Sequence, residues 1–456
     1  MNRLKAELRT LAAALTQLGI AFKVIPVAPE VHTTQIPPAS YMTIVLFEDE
    51  RTARLAPLAQ VRPAFDVLCG GRRLVDIVRA VDPSFCCVVR EHLRDVTTAD
   101  FGPPPDGAPS SDAPFVFVNA RLIPSATLDQ QLRKLVEDGA ERRVMIGDQT
   151  ALAVISNAAS PVVPPANEID QWLAGQTLPP LDANVSLLEY PHDVVAGHIE
   201  ILPDNLQQRI ATGDYRQDDD GVFLGTGAQI GPYVVTDTTS GPIVLEEGVT
   251  VGPHCYLRGP IHLGRSTTIV EHSSIKGPTA TGSFTRLGGD VTVCVVDSFS
   301  NKAHHGFLGH SYIGSWVNLG AGTTNSNLKN TYGKINVQYD GQKIATDMQF
   351  LGCMVGDYAK TAINVSIFTG KTVGVASMLY GTVTGNVPAF VNYSGGLGAS
   401  SEVSVEAAVK MQERMFGRRD RNARACDADL LRAVFDMTRD ERRTWDAKLD
   451  KGPPAF

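Results

Sequence analysis

From Leu245 onward the aliphatic residues return at every sixth position, as Leu245, Val251, Leu257, Leu263, Ile269 and Ile275. An α-helix repeats its apolar stripe every three to four residues and a half-buried strand every two, so neither accounts for a period of six. A triangular coil does. Each hexapeptide is a short strand plus a turn, its aliphatic side chain points into a prism, and three hexapeptides close one coil of about eighteen residues. Stacked coils pair their backbones and turn the aliphatic positions into a narrow continuous core. The frame breaks at residues 278–283 and returns as Leu287, Val293 and Phe299. It then slips by two and runs through Phe307, Ile313 and Leu319. A third block reads Val355, Thr361, Ile367, Val373 and Leu379. Glycine often follows the aliphatic residue, as in Val251-Gly252 and Leu319-Gly320, where it relieves crowding at a corner. A parallel β-helix over residues 221–398 is therefore expected, with residues 277–282 and 325–348 leaving the prism as excursions of the kind that carry sites.

The remainder of the 456 residues divides into other architectures. Residues 41–156 read as an α/β unit, with strands at 41–47 (YMTIVLF), 85–89, 115–119 and 143–147 and a helix at 128–138. Residues 1–40 form an N-terminal extension whose first eighteen positions have amphipathic helical spacing and lack the pattern of a signal peptide. Segments 102–113 and 157–182 are rich in Pro, Ser and Ala and read as loops. A linker spans 157–220, with a short helix at 202–213. Residues 399–456 hold two amphipathic helices, 403–416 and 427–449, placed to cap the prism.

Composition narrows the function. A formal charge of −8 argues against nucleic acid as a partner, and the longest apolar runs fall short of a membrane span. Seven scattered cysteines without a C-x-x-C pair suit reduced thiols in a cytoplasm. Cys86 and Cys87 read as strand core.

The stretch NKAHHGFLGHSYIGSWVNLGAGTTNSNLKNTYGKI at 301–335 resembles the acetyltransferase half of the bifunctional glucosamine-1-phosphate acetyltransferase/N-acetylglucosamine-1-phosphate uridyltransferases. A bacterial group of sugar nucleotidyltransferases on the same plan is similar over most of residues 41–396. That resemblance rests on IVLFEDERTARLAPLAQVRP at 44–63, VNARLIPS at 118–125, LLEYPHDVV at 187–195, KTAINVSIFTGKTVGV at 360–375 and PAFVNYSGG at 388–396. The fold class it implies is an α/β nucleotidyltransferase-like domain followed by a left-handed parallel β-helix and C-terminal helices. It also implies a homotrimer, with acetyl-CoA as donor and a small sugar phosphate as acceptor.

Acetyl transfer to a sugar amine needs a base, donors for the tetrahedral oxyanion, and cations for the phosphate. The resemblance puts His304 in the base position, with His305 as its rival and consecutive histidines on an exterior face as the plain alternative. His254, His262, His272 and His310 are expected at the surface. Asn318 and Asn327 match asparagines that hold the amino sugar, although asparagine also serves at tight corners. Lys334, Arg286 and Lys302 match the phosphate cations. Ala321 and Thr361 fall at CoA contacts, and Lys360 or Lys371 could meet CoA phosphates. Two departures stand out: Phe307 replaces a tyrosine, and the coil before the histidines is shortened.

In the N-terminal unit the family's glycine-rich phosphate loop is replaced by FEDERTARLAPLAQVRP. Glu48, Asp49 and Glu50 would repel a nucleoside triphosphate unless Mg²⁺ intervened, while Arg51 and Arg62 are candidate phosphate cations. Three functions are therefore carried forward: an acetyl-CoA-dependent N-acetyltransferase on an amino-sugar phosphate or sugar nucleotide, a sugar-1-phosphate nucleotidyltransferase, and a non-catalytic scaffold that binds a sugar nucleotide.

Overall fold

The computed structural model describes residues 42–102, 114–156, 163–396 and 400–449. The expected helix in the first eighteen residues lies outside them, as do most of segment 102–113 and the start of segment 157–182. The described residues form one compact unit.

The α/β part is a five-stranded sheet. In chain order come β1 (Thr43–Phe47), α1 (Leu74–Val81), β2 (Cys86–Val88), α2 (Arg94–Phe101), β3 (Phe115–Asn119), α3 (Ala126–Asp138), β4 (Arg142–Ile146), β5 (Gln149–Ile155), α4 (Ile169–Ala174) and α5 (Pro191–Thr212). The sheet order is β2-β1-β3-β5-β4. The first three strands are parallel and, apart from Thr43 and Asn119 at their ends, apolar, as strands covered on both faces tend to be. β5 runs antiparallel to both β3 and β4 and was not expected from the sequence. Helix α4 likewise occupies part of the segment read as loop, because Ile169 and Leu173 bury against the sheet. The helix expected at 202–213 begins eleven residues earlier: Pro191 suits a first helical turn, and Asp193 accepts from the Tyr190 N–H at 2.8 Å.

Beyond Gly221 the chain winds into the β-helix. Its first face stacks Val222–Leu224, Ile243–Leu245, Ile261–Leu263 and Thr279–Thr281, and continues through residues 294–296 and 311–313 to Cys353–Val355 and Lys371–Val373. Residues 277–282 therefore do not leave the prism, since Ile261 pairs with Thr279 like any other rung. Leu245, Val251, Leu257, Leu263, Ile269, Ile275 and Leu287 all point inward and are buried. The frame then changes. Ala280 pairs with Val295, a step of 15 residues where the two coils just above step by 18. Two sides of this coil are shortened, so the inward residues become Val291 and Val296. Val293 and Phe299 are displaced to corners with φ of 56° and 62°.

At one corner successive coils place Phe284, Phe299 and Trp316 in left-handed backbone, an unfavourable conformation for bulky residues. Their rings stack at 5.0 and 4.3 Å, and Arg421 lies over the first two, which offsets that strain. At the opposite side of the problem, Gly264 approaches the Gly282 backbone so closely that a Cβ would sit 2.6 Å from it.

The excursion after Thr324–Asn325 does leave the prism and forms a hairpin, Asn336–Tyr339 with Gln342–Ala345. Ile335 and Val337 bury in the core of the α/β part, and Tyr339 stacks on Tyr190 and His192 of the α5 entry. The C-terminal segment is three helices, α6 (Val405–Gly417), α7 (Ala425–Met437) and α8 (Arg439–Leu449), rather than two. Val409, Leu431 and Val434 pack against Val375, Ala376 and Phe390 of the lower coils.

A buried ionic cluster joins the α/β part to the prism. Arg62 Nη1 donates to Asp297 at 2.7 Å and its Nε to Asp357 at 3.0 Å. Arg73 and the Tyr312 hydroxyl also reach Asp297, whose carboxyl is held down at about 2. Burial works against that ionisation, and the Arg73 and Arg62 charges outweigh it. Arg62 is thus a strut, its guanidinium committed to Asp297 and Asp357.

Candidate functional site

One face of the prism carries an outward column of polar side chains. Arg286 pairs with Asn301, Asn301 bridges to Asn318, and Asn318 bridges to Lys360, so these four stand on successive rungs about 4.8 Å apart. At the adjoining corner His304, Ala321 and Ile363 follow one another in the same way. Together they line a cleft of about 600 Å³. Phe299 and Trp316 flank it, and Met415, Arg418 and Arg419 at the end of α6 form its remaining wall. Five residues expected at a site from the sequence therefore meet here: Arg286, His304, Asn318, Ala321 and Lys360. His305 is exposed but does not line the cleft.

No Asp or Glu lines this cleft, whereas three guanidiniums do. Arg419 Nη2 donates to Asn301 Oδ1 at 3.0 Å. Burial, followed by repulsion from Arg286 and Arg418, pulls Arg419 below the ordinary arginine range. Lys360 Nζ donates to the Trp316 and Tyr358 carbonyls at 2.9 and 3.1 Å. Burial brings its amine down to about 7, so near neutral pH much of it is uncharged. The Ala321 backbone N–H has no acceptor among the described residues and is a candidate oxyanion donor.

Other expected residues lie elsewhere. Lys302 occupies an inward position, paired with Leu287, and is 1% exposed. Its ammonium donates to the Gly288 and His304 carbonyls, and burial lowers it to about 8. It braces the His304 backbone from inside and reaches no substrate. Thr361 also points inward, accepting from the Gly320 N–H at 2.8 Å and bonding Thr323 at 2.7 Å. Asn327 and Lys334 travel with the excursion onto the α/β part. Asn327 bonds His310 at 2.9 Å, and Lys334 pairs with Asp347 at 2.8 Å in solvent. His262, expected at the surface, is 5% exposed and bonded to Glu246 at 3.0 Å beneath α5. Lys371 does not line the cleft.

Asn301, Trp316, Arg418 and Arg419 were missed. The signal was the run GRRDRNAR at 417–424, four arginines in eight residues, which fell between the two expected capping helices and was given no role.

In the α/β part the acidic loop is internally compensated. Asp49 accepts from Arg121 Nε at 2.8 Å and from Asn119 at 2.8 Å, and it caps the Thr52 N–H at 2.9 Å. Burial raises its pKa but Arg121 more than offsets this, so it is lowered overall. Glu48 is held by Arg90 at 3.0 Å and by the Ala64 N–H at 2.9 Å. Arg51 pairs with Asp148 at 2.5 Å. Among the described residues no cluster of three or more His, Cys, Asp or Glu is placed to hold a metal ion. Asp49 and Glu48 are thus committed to arginines, and the loop does not fit a Mg²⁺–triphosphate.

A family model described as sugar nucleotidyl transferase matches residues 44–210. That segment is similar to the sugar nucleotidyl transferases. The match runs from β1 to α5, so it includes both the arginine-filled loop and the Arg62 strut. A curated relative, the bifunctional sugar-1-phosphate nucleotidylyltransferase/acetyltransferase of Sulfurisphaera tokodaii, is 32% identical over 97 residues. The match covers 21% of this chain and 24% of that protein. Two solved structures are similar to this chain. The polySia-specific acetyltransferase NeuO has 12% identity and a TM-score of 0.24, covering 44% of this chain and all of its own. The UDP-N-acetylglucosamine acyltransferase of Francisella novicida has 16% identity and a TM-score of 0.20, covering 45% and 69%. No helix among the described residues is long and apolar enough to cross a membrane.

Proposed function

We propose that the chain is an acetyl-CoA-dependent N-acetyltransferase whose acceptor is an amino sugar bearing a phosphate or a nucleotide. The observation that carries this is the carboxylate-free cleft in which an exposed histidine, an asparagine column and three guanidiniums meet. His304 takes the proton from the acceptor ammonium, and the freed amine attacks the thioester carbonyl. The Ala321 N–H then stands ready for the oxyanion, and as the tetrahedral intermediate collapses the C–S bond breaks and the nitrogen's second proton passes to the departing sulfur, which leaves as the CoA thiol. Asn318 holds the sugar, and Arg286 its phosphate.

His304→Ala should reduce CoA thiol release at least about a hundredfold while leaving the thermal melt unchanged. Turnover within a factor of two of the parent enzyme would remove His304 from the base role. The second reading, sugar-1-phosphate nucleotidyl transfer, is favoured by the family match over 44–210 and opposed by Arg121 and Arg90 filling the phosphate loop. Pyrophosphate release from a sugar 1-phosphate, NTP and Mg²⁺ would establish it. If neither product forms while a sugar nucleotide still binds, the chain is the binding scaffold.

Seven free thiols suit the cytoplasm as the place of action. We further assign a homotrimer. Ile363, Phe368 and Tyr380 expose apolar surface on the prism wall, and sedimentation would read the assembly.

A further inference from the structure

The cations of the cleft come from two elements that the chain separates by more than a hundred residues. Arg286 stands on the prism. Arg418 and Arg419 stand at the end of α6. Basic residues at a helix C-terminus commonly serve the helix dipole. Arg419 does otherwise, turning its guanidinium away from α6 to the prism, where it bonds Asn301. Asn301 is the rung neighbour of Arg286, and Arg286 lines the same cleft as Arg419 and repels its charge. Neither Arg286 nor Arg418 has a carboxylate within ion-pair distance among the described residues. This holds in a chain that is acidic overall. Three like charges drawn together without a counter-ion are unfavourable unless a ligand supplies the anion.

The geometry points to a diphosphate clamp: Arg286, Arg418 and Arg419 bind the diphosphate ester of a nucleotide-linked ligand, so that α6 sets substrate class. A phosphate monoester offers one group to one of these elements. A diphosphate ester offers neighbouring phosphates, each with free oxygens, to guanidiniums from both elements of the cleft, and keeps its charge at any physiological pH. The cleft of about 600 Å³ is also roomier than a hexosamine phosphate alone requires. Two molecules share this chemistry, a sugar nucleotide as acceptor and CoA as donor. The inference deepens the acyl-transfer reading and rests on it for treating this cleft as the reaction site.

Trp316 flanks the cleft and gives a fluorescence readout. The full-length protein is titrated with UDP, CoA, uridine and glucosamine 1-phosphate, as wild type, as Arg418→Gln/Arg419→Gln and as Arg286→Gln. The expected result is a loss of at least about tenfold in affinity for UDP or CoA in both variants. Glucosamine 1-phosphate should change less than about threefold and uridine not at all. Loss for UDP alone assigns the clamp to the acceptor, and loss for CoA alone to the donor. Equal loss for glucosamine 1-phosphate, no loss for either diphosphate, or no binding of any diphosphate by the wild type overturns the clamp. Arg286→Gln lies on the prism, so it keeps the test open if the α6 variant unfolds. Arginine-dependent diphosphate binding without any acetyl transfer would sink the acyl-transfer reading and leave the clamp standing. Acetyl transfer indifferent to all three arginines would do the reverse.

Discussion

Replacing Arg62 with methionine tests how the α/β part is fastened to the prism. The cluster holds three carboxylates, Asp66, Asp297 and Asp357, against two guanidiniums, Arg62 and Arg73. Removing Arg62 leaves three negative groups facing one cation. Removing Asp297 instead leaves two facing two. Loss of one partner from a buried pair costs about 3–5 kcal/mol, and Arg62→Met should sit at the upper end. Asp297→Asn should cost less, about 1–3 kcal/mol, although Asp297 is the more deeply buried and more fully bonded residue. The pH dependence sharpens the test. Burial already raises Asp66 to about 6, and Arg73 and Arg62 keep it from rising further. Burial raises Asp357 as well, against the pull of Arg62. Without Arg62 both carboxyls titrate higher in the folded state while their unfolded values stay near 3.8. The folded variant therefore binds protons that its unfolded chain does not, and its deficit shrinks as pH falls from about 8 to about 5.5. Urea unfolding at those two pH values, with Trp172 reporting the α/β sheet it packs on, measures both effects. A cost below about 1 kcal/mol, a cost that does not change with pH, or a larger cost for Asp297→Asn would refute the reasoning.

Lys302 has a folded pKa near 8, against 10.5 unfolded, so the unfolded chain binds the extra proton between those values. Stability should climb as pH rises from about 8 to about 10, and Lys302→Met should lack that climb in a series of thermal melts. Lys360, with an amine near 7, should react with acetic anhydride at about pH 7 ahead of the solvent-exposed Lys343, as read by peptide mass spectrometry. Equal labelling of the two would contradict its burial in a carboxylate-free cleft. Ile335→Ala empties a 1%-exposed site where the hairpin meets the α/β core. It should cost about 2–5 kcal/mol and bring forward proteolytic cleavage within 336–345, while CoA release from the folded fraction is unchanged.

The six-residue period made the upper coils readable residue by residue, because Leu245 to Ile275 obey one frame without exception. Legibility ended at Leu287. Extending the frame by six put Val293 and Phe299 inward, whereas the 15-residue coil brings Val291 and Val296 in and turns Lys302 into a core residue. A lysine at an inward position looks like surface until its register is known, which is why Lys302 was placed in the site, whereas Thr361 stood in the inward frame and was placed at CoA by the resemblance alone. Asn327 and Lys334 were misplaced for another reason. They belong to an excursion whose destination depends on Ile335 and Val337 finding a hydrophobic core more than a hundred residues upstream in the chain. Arg286, His304, Asn318, Ala321 and Lys360 lie on the prism itself, and the spacing that builds the prism also brought them together. Arg418 and Arg419 reach the same cleft only through the packing of α6 on the lower coils, which no local pattern records. In the α/β part β1 to β3 were evident from runs such as TIVLF and FVFVN, while β5 was hidden as the return of a tight hairpin from β4.

The corner that follows the first face is glycine on coil after coil, at Gly225, Gly264, Gly282, Gly314, Gly356 and Gly374, and it is acidic at two, Glu246 and Asp297. Each acid marks a berth. Glu246 receives Arg209 of α5, Tyr215 and His262, and Asp297 receives Arg62 and Arg73. A repetitive scaffold offers many equivalent positions along its axis, and nothing in its aliphatic ladder tells an appended domain where to moor. Here the address is written by changing one letter in the repeat. Moving the acid by one coil, with Asp297→Gly and Gly314→Asp together, would ask the α/β part to shift by a rung. A Cβ at position 314 would press against Asp357 Oδ1, so the moved acid would crowd the second carboxylate that the Arg62 guanidinium holds.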